Sequence, residues 1–114
     1  SSEKQAMGWH FAGKVSGVFG THTHVPTADE RVLPGGTAFI TDVGMTGPYD
    51  SVIGMNTAAA IDRLLTQRTR GHQVATDNVQ LCGVIIEVDE AIRRAAVGRR
   101  SPRATKPHSA ATSR

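Results

Sequence analysis

One cysteine in 114 residues, Cys82, leaves no partner for an internal disulfide and fits a reducing compartment. Its setting, LCGVIIEV, is apolar and strand-like, so a buried, inert thiol is expected. Aromatics are scarce at 4% and apolar residues reach 39%, enough for one modest core. No uncharged apolar run approaches the roughly 20 residues of a membrane span. The opening SSEKQAMGWH has no apolar signal-peptide core. A soluble, cytoplasmic protein without a membrane partner is the expectation. P-loop, GxGxxG, paired CxxC and Ser-His-Asp spacings are absent, which removes the common nucleotide, redox and serine-hydrolase signatures.

Acidic residues are missing from the last stretch. Residues 1–90 hold six basic and ten acidic residues, whereas 91–114 hold seven basic and none acidic. The formal charge of +3 therefore belongs to the end of the chain. RRAAVGRRSPRATKPHSAATSR has no apolar period, and residues 99–114 read as a basic, disordered tail after a folded part at 1–98. Contact between that tail and nucleic acid is the lesser reading, a solvated tail the simpler one.

Within 1–98 the pattern is mixed. Ser2 followed by Gln5 resembles a capping box, opening a short helix that ends near Gly13, with Trp9 as a core anchor and His10 packed in an apolar face. Val15–Phe19 is β-prone and is stopped by Gly20. Arg31–Leu33 and Thr37–Val43 flank Pro34-Gly35-Gly36, a hairpin signal. GMTGPYDSVIGM is a long loop, of the kind that is more often functional than decorative. Ala58–Gln67 is helix-forming, with Ile61, Leu64 and Leu65 at core spacing. Val79–Asp89 reads as one long strand buried on both faces. These elements make an α/β or α+β architecture.

The chemistry concentrates in FGTHTHVPTAD, at the end of the Val15–Phe19 strand. On extended backbone, residues two apart face the same side, so His22 and His24 would project together. Two convergent imidazoles suit a transition-metal ion. Thr21 and Thr23 can orient the rings or hold an oxyanion, which makes Thr23 the substrate-binding candidate. A metal site normally takes three or four protein ligands, so the pair is half a site. Asp29, Asp42, Asp50 and His72 are the available additions, though no spacing selects one. Asp42 and Asp50 read equally well as supporting groups or turn residues. His72 suits a helix end or the surface, and His108 lies in the tail.

The run GTHTHVPTADERVLPGGTAFITDVGMTGPYDSVIGM, residues 20–55, resembles the C-terminal part of bacterial YmdB-like metallophosphoesterases of the calcineurin-like superfamily. The likeness extends to SEKQAMGW, LLTQ and DNVQLCGVIIEVDE. It implies an α/β fold, the C-terminal half of a sandwich of mixed sheets flanked by helices. It further implies phosphodiester hydrolysis, with cyclic nucleotides such as 2′,3′-cyclic AMP as substrates and a hydroxide activated by two metal ions (Fe, Mn or Zn). His22 and His24 match the histidines of the family's final metal motif. The remaining ligands and the general acid would lie upstream of Ser1, so this chain alone is expected to be inactive. The missing N-terminal half becomes its expected partner, and a homo-oligomer is compatible with the sequence. The alternative is a non-catalytic complementing or binding fragment.

Overall fold

The computed structural model describes residues 1–68, 71–91, 94–98 and 103–104. Helix α1 spans Ser2–Phe11. The expected capping box does not form: Ser1 is the N-cap, and the Ser2 hydroxyl donates to Glu3 instead. The helix stops where Gly13 takes φ +76°, a conformation glycine adopts without a Cβ penalty.

Strands β1 (Gly17–Phe19), β2 (Arg31–Leu33) and β3 (Thr37–Ile40) form a sheet in the order β1-β3-β2. β1 runs parallel to β3, and β2 pairs with β3 antiparallel through the Pro34-Gly35-Gly36 turn. All four residues of β3 are buried because both of its faces are covered. On one face Gly8 of α1 sits so close to Phe39 that an added Cβ would lie 2.5 Å from the ring. The Thr37 side chain stitches the same face together, accepting from Gly13 N at 2.8 Å and donating to Val15 O at 2.6 Å. On the other face, Ile86 from β6 (Ile85–Asp89) reaches Gly17. β6 pairs antiparallel with β7 (Arg94–Gly98), and this ribbon lies against β3 and β2.

The rest of the chain is thinner. β4 (Gly47–Pro48) pairs with β5 (Val79–Leu81), which also pairs with β8 (Arg103–Ala104). Helix α2 (Thr57–Thr66) begins at Asn56, whose side chain accepts from Ala59 N at 3.1 Å. It ends at Gln67 in the left-handed conformation. Among the described residues no helix is long and apolar enough to cross a membrane.

The mixed α/β class agrees with the sequence reading, and several finer expectations need correction. Val79–Asp89 is two strands in different sheets, separated at residues 82–84, and its apolar residues are not buried on both faces: Leu81 and Ile85 are each 60% exposed. Trp9 is 52% exposed, because the helix turns Gly8 toward the sheet; the Arg31 guanidinium covers its ring at 5.3 Å. His10 is exposed and meets Phe11 edge to face. Ile61, Leu64 and Leu65 are exposed as well, and only Ala60 of α2 is buried. Cys82 is half-buried rather than fully buried. The expected tail falls outside the described residues except for Arg103–Ala104, the short strand β8.

Candidate metal centre

Strands β1 and β3 are parallel and end level with each other, so the segments leaving their C-terminal ends meet, the usual place for a site in an open α/β sheet. Two backbone bonds extend the pairing past the strands: Gly20 N donates to Ile40 O at 3.2 Å, and Val43 N donates to Gly20 O at 2.9 Å. Beyond this staple the histidine loop and the Gly44–Met45 turn form the two walls of a cleft of about 280 Å³. Thr21, His22, His24, Gly44 and Met45 line it.

His22 and His24 do share this cleft, but not for the reason expected from extended backbone. Their φ values are +119° and +66°, so the loop bends at both histidines. Non-glycine residues in such conformations cost roughly 1–3 kcal/mol each and persist only where surrounding contacts over-determine them. His24 Nδ1 lies 2.9 Å from Ile53 O. A carbonyl only accepts, so Nδ1 carries a proton and donates it to Ile53 O, while the residue lines the cleft. This is the arrangement of a metal-binding imidazole fixed by a backbone acceptor. His22 is exposed on the same cleft.

The loop is held by a carboxylate. Asp42 is fully buried, and its Oδ2 accepts from Thr23 N at 2.8 Å and from Lys4 Nζ at 3.1 Å. Its Oδ1 accepts from Gly44 N at 2.9 Å. Lys4 Nζ also donates to Thr21 O. Charge-assisted bonds of this kind are about twice as strong as neutral ones. Thr27 adds a third anchor: its hydroxyl accepts from Asp42 N at 2.9 Å, and its amide donates to Asp42 O at 3.0 Å. Burial pushes the Asp42 carboxyl upward, but the Thr23 and Gly44 amides and Lys4 outweigh it and hold the pKa at about 2. Because the folded value is depressed, the associated stability is present above pH ~4 and is lost as pH falls toward 2. Acid titration followed by circular dichroism is expected to show a loss on the order of 2 kcal/mol across that window. The loss should shrink in Asp42→Asn; an unchanged acid limb in the variant would disprove the assignment.

The other candidates are engaged elsewhere. Asp29 accepts from Thr41 N at 3.1 Å and from the Thr41 hydroxyl. Burial raises its pKa, and the hydroxyls of Thr27 and Thr41 together with backbone amides lower it by more. Asp50 accepts from Asn78 Nδ2 at 2.9 Å, and His72 lines a separate cleft beside α2 with Asn56 and Asp62. His108 lies outside the described residues. Among the described residues no three His, Cys, Asp or Glu side chains are grouped to hold a metal ion. The Thr23 hydroxyl donates to Val25 O at 3.0 Å.

Two contributors escaped the sequence reading. Lys4 carried no signal beyond lying on a helix. Tyr49 sits behind Met45, its hydroxyl accepting from Met45 N and donating to Met45 O, both at 3.1 Å, with Cys82 Sγ 3.0 Å away. Its place in the long glycine-rich loop was the available clue.

The chemistry present fits two imidazole ligands to a first-row transition ion, and the usual three or four ligands are not completed. Comparison with known proteins identifies the family. A family model described as YmdB-like protein matches residues 1–99. A 2′,3′-cyclic-nucleotide 2′-phosphodiesterase of Bacillus subtilis (strain 168) is 50% identical over 95 residues, which is 83% of this chain and 36% of that protein. The crystal structure of a novel phosphatase from Mycoplasma pneumoniae superposes with a TM-score of 0.85 at 41% identity, over 90% of this chain and 37% of that one. A hypothetical protein from Thermus thermophilus gives a TM-score of 0.77 at 39% identity, over 91% and 40%. The chain thus spans little more than a third of the length of the curated relative it matches.

Proposed function

Since the chain belongs to the YmdB-like family, we propose that it is the C-terminal part of a metal-dependent phosphodiesterase, of calcineurin-like architecture, acting on cyclic nucleotides such as 2′,3′-cyclic AMP. The observation that carries this reading is the His24 ring, its Nδ1 tied to Ile53 O, on the cleft that His22 shares. His22 and His24 would each donate one nitrogen to the metal centre. Two ions of Fe, Mn or Zn, when bound, supply charge neutralisation on the phosphoryl oxygens and an activated nucleophile for in-line displacement.

This chain's own part is positional. The Asp42 bonds hold the loop so that both histidines line one cleft, and the Met45 turn closes the opposite wall. Thr23 would reach a phosphoryl oxygen by exchanging its bond to Val25 O. The general acid and the remaining ligands are contributed by the preceding part of the domain, the chain's main partner. Alone, the 114-residue chain is an incomplete catalyst.

The test compares the full-length protein carrying this chain with the 114-residue chain itself, using bis-p-nitrophenyl phosphate and 2′,3′-cyclic AMP with Mn²⁺ or Fe²⁺. Metal-stimulated hydrolysis by the full-length protein is expected, with the isolated chain at least about a hundredfold slower, a barrier difference of about 3 kcal/mol. Absence of metal-stimulated hydrolysis in the full-length protein would overturn the activity. Robust turnover by the isolated chain would overturn the incomplete-site reading.

A further inference from the structure

We propose that Asp42, paired with Lys4, is a positioning residue of the metal centre, setting the spacing between its two walls; this rests on the metal reading above. The juxtaposition is specific. Thr23, whose amide lies between the two histidines, and Gly44, which lines the facing wall, donate to different oxygens of one carboxylate. That carboxylate is completely shielded from solvent. Lys4 arrives from α1, shares Oδ2 with the Thr23 amide, and holds the Thr21 carbonyl that opens the loop. One buried group therefore ties both walls of the cleft and α1 together.

An Asp serving only the fold would need partners, but not these. Its two backbone donors come from opposite sides of the cleft, and its hydrogen bonds go to Lys4 and these amides, not to an imidazole. Drawing the Thr23 amide inward leaves the residues on either side to turn outward, and both are histidines with left-handed backbone. The carboxylate acts through the backbone, and the imidazoles act on the ion. Lys4 supplies the counter-charge and the link to the helix, so α1 becomes part of the site without lining it.

Asparagine at 42 keeps the volume but replaces one carboxylate oxygen with an NH₂ group. An NH₂ facing an N–H leaves either the Thr23 or the Gly44 amide without its acceptor, so one wall is released. The full-length protein and its Asp42→Asn variant would be titrated with Mn²⁺ by electron paramagnetic resonance, alongside circular dichroism of the metal-free forms. In a folded variant the Mn²⁺ affinity is expected to fall by about 10- to 100-fold, with an altered spectrum of the bound ion. Wild-type affinity and spectrum in the folded variant would overturn the proposal. Should Asp42→Asn fail to fold, Lys4→Met decides by the same readouts. A loss of affinity recovered by Lys4→Arg supports the clamp, and unchanged affinity overturns it. A wild-type protein that binds no Mn²⁺ would instead remove the metal reading on which the proposal stands.

Discussion

Replacing His22 and His24 together by glycine is expected to lower metal-dependent turnover of the full-length protein by about 10³-fold or more. Loss of a group that merely orients a ligand typically costs about 10- to 100-fold in metal affinity, and here two nitrogen donors are lost outright. Thermal stability should move in a different way. Both histidines hold positive φ, which glycine adopts without steric strain, so the relief offsets the entropy that glycine loses on folding. The His24 bond to Ile53 O is forfeited, worth about 1 kcal/mol. A net stability change within about 1 kcal/mol therefore accompanies a collapse of activity. Parallel assay with bis-p-nitrophenyl phosphate and thermal unfolding separates the two. Wild-type turnover in the double variant would remove both residues from the metal set.

Gly20→Ala is expected to act in the opposite sense, through the fold first. A Cβ at Gly20 would lie 2.2 Å from the Thr41 carbonyl oxygen and 2.8 Å from Lys4 Cδ. The lysine can shift, but the carbonyl belongs to a backbone pinned on both sides of the contact. Gly20 N is bonded to Ile40 O, Gly20 O to Val43 N, and Thr41 N to Asp29. Relief requires separating β1 from the continuation of β3, which would also spread the two walls of the cleft. Overpacking typically costs about 1–3 kcal/mol, and a rigid backbone obstacle places this substitution at or above the top of that range. In a domain of this size each kcal/mol shifts Tm by about 4–8 °C, so a fall of about 10–20 °C is expected. A Tm within a few degrees of wild type would show that the strands part more easily than the geometry implies.

The parts of the fold that could be read in advance are those governed by local chemistry. The Pro34-Gly35-Gly36 turn delivers its hairpin, and α1 and α2 fall within a residue or two of their expected bounds. His22 and His24 share a cleft, as their spacing suggests, but the extended-backbone premise does not hold. Extended geometry does not bring His22 and His24 together; two left-handed residues on a clamped loop do. That clamp depends on a contact between residues 4 and 42, which no local period encodes. The apolar residues of 79–89 were misjudged for a related cause. An apolar run shows that a surface needs cover, but not where the cover comes from. Leu81, Ile85, Leu65 and Phe19 stay exposed in a chain that aligns with little more than a third of the Bacillus subtilis relative.

The distribution of burial also ranks the segments by how readily they open. Among the described residues, four of the five buried apolar ones, Leu33, Ala38, Phe39 and Ile40, lie on β2 and β3, and the chain runs directly from them into buried Thr41 and Asp42. Transient openings are least frequent where apolar contact is densest, so the amides of 37–42 belong to the last unit to exchange with solvent. The histidine loop is exposed and bent, yet it hangs from that unit by the Asp42 carboxylate. Fluctuations that expose α2 or the β5 edge can thus come and go while the backbone between the two histidines stays tied to the core, a local rigidity independent of most of the chain around it.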